Sequence, residues 1–517
     1  MKIKTKIILI GILLVAAFLR LFRVSDYMTF LGDEGRDVLV VKGILEGDLT
    51  LLGPRASAGD FFTGPVYYYM MTPFLWLWQY DPVGPALMIG LLGIATVFLV
   101  YIVGKNFFDE RTGLIAAALY AVSPLVLTYS RSSWNPNALP FFALLTIFVL
   151  YKAVTKVRSW KYFVLTGFLL GICVQLHYIS LFLAVAVAIS LFIMNWYLNG
   201  KIKILQTLKY YLQILLGFII GFIPFLAFEV RHGFPNIKTI FSFVTKDSVE
   251  SGYATYNAFH EPIADVFFRI FARLVFNYPV PVDYDKFSLI GLQIAGLLIL
   301  LVAVASLVLL FKHKNKFAVI LLAVWLIIGV FLFGFYKKPI YDYYLVFIFP
   351  LPFLLVGYLL AKVSELKKGK LLYGVVISGI LTLALIIFNL TNNPFKNEPN
   401  RQKDQIKRIA EFVISKTDNK PFNFALITPG NSDHGYRYYM EIMGRKPITI
   451  ENDAVDPQRR TVTEQLIVVC EQRDCEPLGH PLYEVAGFGP ATRAGEWTLP
   501  QVDVYKLVPY VEFRVQE

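Results

Sequence analysis

Charge is what this chain of 517 residues has least of: Asp, Glu, Lys and Arg make up 17% of it, against roughly 25% in soluble domains. With 56% hydrophobic residues and a mean hydropathy of +0.57, that scarcity excludes an ordinary soluble enzyme. Cysteine is limited to three residues, and neither an internal repeat nor a low-complexity tract interrupts the chain. No small-residue cleavage site follows the first apolar run, which ends in Arg20-Leu21-Phe22-Arg23. That run therefore reads as a retained helix and not as a signal peptide.

What the chain does have is apolar runs of about 16–24 residues, the length a helix needs to cross a hydrocarbon core of about 30 Å. They fall at 7–24, 84–104, 113–130, 137–155, 161–178, 180–198, 209–228, 288–311, 317–336, 343–361 and 371–389, which predicts eleven transmembrane helices. With the N-terminus in the cytoplasm, the inner segments hold nineteen Lys and Arg against three acids, Asp109, Glu110 and Glu365. The net charge of +12 thus divides into +16 inside and −4 elsewhere. The positive-inside rule produces such a bias, so the basic charge is a topology signal and not a nucleic-acid surface. An odd number of spans leaves the C-terminus outside. Residues 65–79 (PVYYYMMTPFLWLWQ) are short and aromatic and read as an interfacial or re-entrant helix. Counting them as a twelfth span inverts every later loop.

The predicted fold class is therefore a mainly α, polytopic membrane protein with a small extracytoplasmic α/β domain. Its core is 1–390, with outer loops at 25–83 and 229–287. A linker rich in Asn and Pro covers 391–400, and the domain covers 401–517. Residues 401–417 have amphipathic helical spacing, while Phe422–Thr428 and Gln465–Cys470 read as strands. Cys173 lies inside a span as a small apolar filler. Cys470 and Cys475 lie in the outer domain, where a disulfide is chemically allowed and an unpaired state equally so. A zinc site there lacks further ligands.

In this topology the conspicuous polar residues gather at the outer ends of the helices. Asp33, Glu34, Arg36, Asp37 and Asp60 lie in the first loop; Ser130–Asn137 follows the third helix and includes Arg131. His177 ends the fifth, Glu229-Arg231-His232 ends the seventh, and Lys337, Lys338 and Tyr341–Tyr344 join the ninth and tenth. Transporters hold such groups at mid-membrane in broken helices. Here they ring an outer surface, which points to a site fed from the lipid. An acidic pair near an interface can deprotonate a hydroxyl or hold a divalent cation; its plainer role is a pair of solvated charges on an outer loop.

The arrangement resembles the GT-C membrane glycosyltransferases, in the branch of the protein O-mannosyltransferases and lipid A aminoarabinose transferases. The residues that carry it are Asp33-Glu34, Asp60 before Pro65-Val66-Tyr67-Tyr68-Tyr69, and the segment Gly90–Arg111. Ser123-Pro124 leading to Tyr129-Ser130-Arg131, and Tyr343-Tyr344-Leu345 before Pro350 and Pro352, complete the set. The resemblance covers roughly residues 7–390. It implies an inverting glycosyltransferase that moves a sugar from a polyprenyl-phosphate carrier to a glycan, lipid or protein acceptor on the outer face of the plasma membrane. Asp33 matches the family's catalytic aspartate, a general base; Glu34 is its motif partner and Asp60 the second acidic site. Arg131, Arg231, Lys337 and Lys338 are candidates for compensating the leaving phosphate, and His177 and Tyr344 for hydrogen bonds to sugar or phosphate. A divalent metal at Asp33 and Asp60 is optional. The chain keeps one proline where relatives have two, and Asn135-Pro136-Asn137 stands where some carry an aspartate.

Plainer roles exist for each candidate. Lys337 and Lys338 also suit interface anchors, Arg131 a snorkelling cation, His177 a helix end, and Tyr67–Tyr69 an aromatic belt. The rival functional classes are a lipid or polymer transporter and a non-catalytic membrane scaffold. A ligase transferring a preassembled glycan is the neighbouring enzyme. The absence of a nucleotide-binding loop agrees with chemistry on the outer face.

Overall fold

The computed structural model describes residues 3–56, 60–157, 159–245, 255–367, 373–472 and 474–510. Parts of the expected loop 229–287 and the end of the C-terminal domain, at 246–254 and 511–517, lie outside the described residues. The chain forms two compact units. The first comprises Met1–Val24, Leu49–Phe74 and Pro85–Glu398; the second comprises Ser25–Asp48, Leu75–Gly84 and Pro399–Glu517. Compactness thus divides the chain differently from a single cut near residue 390, because residues 25–48 cluster with the C-terminal segment.

The first unit is helical. Among the described residues seven helices are long and apolar enough to cross a membrane: Val83–Phe107, Asn135–Thr155, Tyr178–Asn199, Ile204–His232, Leu289–Lys312, Lys316–Phe335 and Tyr373–Thr391. The pair Asp342–Ile348 and Pro350–Val363, bent by 59°, makes an eighth if it is one span. The chain is a multi-pass membrane protein, and among the described residues the count of eleven spans is not reached by length and composition alone. The run expected over 113–130 breaks into Glu110–Val122 and Pro124–Tyr129, with Pro124 opening the second piece, where its missing N–H costs no helical bond. Trp160–Leu176 has only 17 residues, and Ile3–Leu21 carries Lys4, Lys6 and Arg20. The aromatic run forms the helix Val66–Leu77, whose 12 residues rise about 18 Å, too little to cross hydrocarbon.

Two helices of this unit approach through small residues. Gly167 and Gly171 on Trp160–Leu176 face Gly217 and Gly221 on Ile204–His232. A Cβ on Gly167 would lie 1.8 Å from the Ile214 carbonyl oxygen, and one on Gly217 would lie 1.8 Å from that of Val164. Both segments carry the small-xxx-small spacing that lets membrane helices gain van der Waals contact where no hydrophobic driving force separates helix from lipid.

The second unit holds the α/β domain. Its sheet consists of β1 (Asn423–Ile427), β2 (Leu466–Cys470), β3 (Ala491–Thr498) and β4 (Asp503–Pro509), in the order β1-β2-β4-β3. β1 and β2 pair in parallel, and the other two pairings are antiparallel. Ala425, Ile427, Leu466, Val468 and Leu507 form its core with Val485 and Phe488 of a short helix, Tyr483–Phe488. The helix Gln402–Ser415 buries Ile406, Ile409, Ala410 and Val413, as its spacing predicts. Cys470 ends β2, and its Cα lies 6.3 Å from that of Cys475, within the reach of a disulfide.

The same unit includes the helix Gly32–Leu45 of the first loop, which packs on His434–Ile442. The backbones nearly touch: a Cβ on Gly35 would stand 2.3 Å from the Gly435 amide nitrogen. Phe30 lies edge-on to Tyr438 and Tyr439, with centroids at 6.3 and 5.6 Å, and Lys42 pairs with Glu441 at 3.1 Å. Gly35→Val is therefore expected to weaken this docking by about 1–3 kcal/mol through overpacking. Limited proteolysis checks it: cleavage within 25–48 speeds up in the variant while cleavage elsewhere keeps its wild-type rate.

Candidate functional site

The acidic pair opens the helix Gly32–Leu45, where the positive end of the helix dipole favours carboxylates. The two side chains part company there. Asp33 is 54% exposed and pairs with Arg36 at 2.8 Å; Arg36 also reaches Asp37, which is fully buried, at 2.8 Å. Glu34 is buried, and its Oε2 accepts the Leu31 N–H at 3.0 Å. Burial pushes the Glu34 carboxyl up to about 7; Asp33 and Asp37 push the same way, and hydrogen bonds from the Leu31 and Glu34 backbone N–H groups oppose them. Adjacent carboxylates in unlike surroundings are suited to separate roles. Asp33 is the one open to a reactant.

In the membrane unit, Asp60 is 74% exposed and pairs with Arg55 at 2.5 Å. Residues 53–56 fold back on 61–63 through Gly53 N–H to the Thr63 carbonyl and Thr63 N–H to the Pro54 carbonyl, each 2.8 Å. Three side chains pin this segment to helices. Asn236 accepts the Phe62 N–H at 2.8 Å, Tyr178 donates to the Phe62 carbonyl at 2.5 Å, and Gln175 accepts the Val66 N–H at 3.2 Å. Asn236 is fixed in turn by Glu229, a fully buried carboxylate that accepts its amide at 2.7 Å and the Ile237 N–H at 3.0 Å. Asp60 therefore sits near the tip of an anchored loop.

Two sequence candidates come together. The His177 ring lies 5.7 Å from Tyr344 and 5.9 Å from Tyr343, and Trp134 packs edge-on to Tyr343 at 4.6 Å. Tyr336 donates to the Tyr344 hydroxyl at 3.4 Å. This aromatic cluster offers stacking faces and hydroxyl groups, the equipment of a sugar or phosphate contact. Arg231 is exposed at the end of Ile204–His232. Lys337 is exposed, and its carbonyl accepts the Thr255 and Tyr256 N–H groups at 3.0 and 3.4 Å; Lys338 is half-buried.

Arg131 has a different place. It is 2% exposed, donates to the Leu19 carbonyl at 2.5 Å and the Phe22 carbonyl at 2.8 Å, and lies over the Phe395 ring at 4.7 Å. Its guanidinium closes the C-terminal end of the first helix, where carbonyls lack intrahelical donors. Arg20, also fully buried, ties the same helix to the Ala121 carbonyl at 3.0 Å.

Sequence reasoning passed over an ion cluster in this unit. Arg273 and Arg269 approach Asp342 at 2.6 and 3.6 Å, Arg269 also pairs with Asp265, and Tyr256 donates to Asp265 at 2.6 Å. The signal was available: Asp265, Arg269 and Arg273 recur every fourth residue and share one face of His260–Phe276.

Glu34 supplies a test of the acidic helix. Its raised value means the folded state favours the proton, so its stabilising contribution is complete below 4.5 and lost as pH rises to about 7. Thermal unfolding of the detergent-solubilised protein is expected to shift downward between pH 5 and pH 8. Glu34→Gln flattens that dependence and unfolds at a higher temperature than wild type at pH 8; an equal shift in both proteins would refute the assignment.

Residues 63–228 match the family dolichyl-phosphate-mannose-protein mannosyltransferase. No curated protein matches the chain in sequence. Among solved structures, ArnT from Cupriavidus metallidurans bound to undecaprenyl phosphate is similar with a TM-score of 0.61 at 13% identity, covering 97% of each chain. The Archaeoglobus fulgidus oligosaccharyltransferase in the apo form gives 0.55 at 14% identity, covering 90% of this chain and 69% of that one. The AglB of that organism, in complex with an inhibitory peptide and a dolichol-phosphate, gives 0.53 at 13%, covering 99% and 75%. The chain has the fold of the GT-C membrane glycosyltransferases, and part of its membrane unit matches their mannosyltransferase branch in sequence.

Proposed function

We propose that the protein is an inverting glycosyltransferase that moves a sugar from a polyprenyl-phosphate carrier to an acceptor on the outer face of the membrane. The observation that carries this reading is the exposed Asp33 carboxylate on a packed helix, beside a buried Glu34. The fold supports the carrier class, since solved relatives hold undecaprenyl phosphate and dolichol-phosphate. The excess of Lys and Arg in the inner segments supports a cytoplasmic N-terminus and an extracytoplasmic C-terminal domain.

In this reading Asp33 accepts the proton of the acceptor hydroxyl as its oxygen attacks the anomeric carbon. The bond to the carrier phosphate breaks on the opposite face, and polyprenyl phosphate leaves with the bonding electrons. A single displacement inverts the centre, by the logic that separates inverting from retaining glycosidases. Arg231, Lys337 and Lys338 compensate the negative charge of the leaving group, and His177 and Tyr344 contact sugar or phosphate. Arg131 acts through the first helix that it closes. A divalent metal at Asp33 and Asp60 stays optional in this reading, and no step is routed through it.

Purified protein supplied with polyprenyl-phosphate monosaccharides and crude envelope acceptors is expected to release polyprenyl phosphate, quantified by mass spectrometry. Asp33→Asn, still folded, is expected to lose roughly 10²- to 10⁴-fold of that rate. Undiminished release would remove Asp33 from the role of base.

A further inference from the structure

The helix that presents Asp33 carries only half of a capping box: Glu34 accepts the Leu31 N–H at 3.0 Å, but nothing at the N-cap position answers it. Its N-cap residue is Leu31, whose side chain has no oxygen to receive the first free N–H groups. The missing acceptor comes from the C-terminal segment of the same compact unit: Asn431 Oδ1 accepts the Gly32 N–H at 2.8 Å and the Ser432 N–H at 2.9 Å. An amide can serve this way only in one of its two orientations, and Glu471 selects it. The Glu471 carboxylate, an acceptor only, takes the Asn431 Nδ2–H at 2.9 Å, which turns Oδ1 towards Gly32. Glu471 is itself fixed. Tyr436 donates to it at 2.8 Å and Thr428 at 2.7 Å, and its own N–H donates to the Ile427 carbonyl at 2.9 Å, beyond the ends of β1 and β2.

We propose that Asn431 and Glu471 are positioning residues for Asp33: the C-terminal domain supplies from a distance the acceptor that the N-cap residue Leu31 cannot give to the catalytic helix. This rests on the reading of Asp33 as general base. Asp33 directly follows the capped Gly32, so fraying of the first turn moves its carboxylate before it disturbs anything else in the domain. The assignment gives the C-terminal domain a part in catalysis that needs no acceptor-binding surface on it.

Hydrogen–deuterium exchange and steady-state kinetics on the full-length protein test it together. Asn431→Ala is expected to raise exchange in a peptide covering 31–37 by roughly tenfold while β1 and β2 keep wild-type protection. With polyprenyl-phosphate mannose, or whichever monosaccharide donor wild type turns over, kcat falls roughly 10- to 100-fold and the donor KM stays within about twofold. Asn431→Asp combined with Glu471→Gln, which keeps a capping oxygen and returns an N–H donor opposite it, recovers part of kcat, and Glu471→Leu alone reproduces the exchange change with Asn431 intact. Unchanged exchange at 31–37, or raised exchange with unchanged kcat, overturns the proposal. A wild type that releases no carrier removes the transferase reading and the positioning role with it, and that failure shows in wild type before any variant is made.

Discussion

The contact of Gly35 with Gly435 is the constraint on which the acidic helix depends. A Cβ at Gly35 has no room and would force the two backbones apart, whereas one at Gly435 meets only ordinary van der Waals neighbours, so the constraint lies on the Gly35 side. Closeness here lets Phe30 reach Tyr438 and Tyr439, lets Lys42 reach Glu441, and brings Gly32 within hydrogen-bonding distance of Asn431. The separate environments of Asp33 and Glu34 follow, because a helix fixed in rotation must turn one side chain inward and leave its neighbour outside.

The membrane unit solves a related problem with polar side chains. Helix ends and breaks leave backbone groups unpaired, which hydrocarbon cannot satisfy. Arg131 and Arg20 serve carbonyls around the first helix, Ser123 donates to the Leu274 carbonyl at 2.6 Å, and Asn389 donates to that of Val275 at 3.1 Å. Buried cations here are part of the scaffold. A charge within or beside a span is by default a functional hypothesis, and Arg131 illustrates how such a charge serves the backbone first.

Long, uniform patterns were the legible part of the sequence. Apolar runs announced a polytopic membrane protein, the amphipathic spacing of 401–417 announced the helix Gln402–Ser415, and two apolar stretches announced β1 and β2. β3 escaped because it is an exposed edge strand of mixed residues containing Gly495, and the break after Val122 escaped because apolarity continues across Pro124. The acidic pair was legible as a motif, but its division into an exposed Asp33 and a buried Glu34 was not. That division depends on partners about four hundred positions away, such as Asn431 and Gly435, which no local pattern connects to Gly32 and Gly35. Arg131 shows the opposite limit: its residue type suits a phosphate as well as a helix end, and residue type alone does not announce its bonds to the Leu19 and Phe22 carbonyls.

Glycosyl transfer by a single displacement from a polyprenyl-phosphate donor is the central claim, and the stereochemistry of the product tests it most directly. A donor labelled with carbon-13 at the anomeric position, followed by NMR of the glycosylated acceptor, reads the configuration on both sides of the reaction. Inversion at that carbon is the predicted result. Retention would contradict the account, because it requires an intermediate that a lone general base at Asp33 does not form.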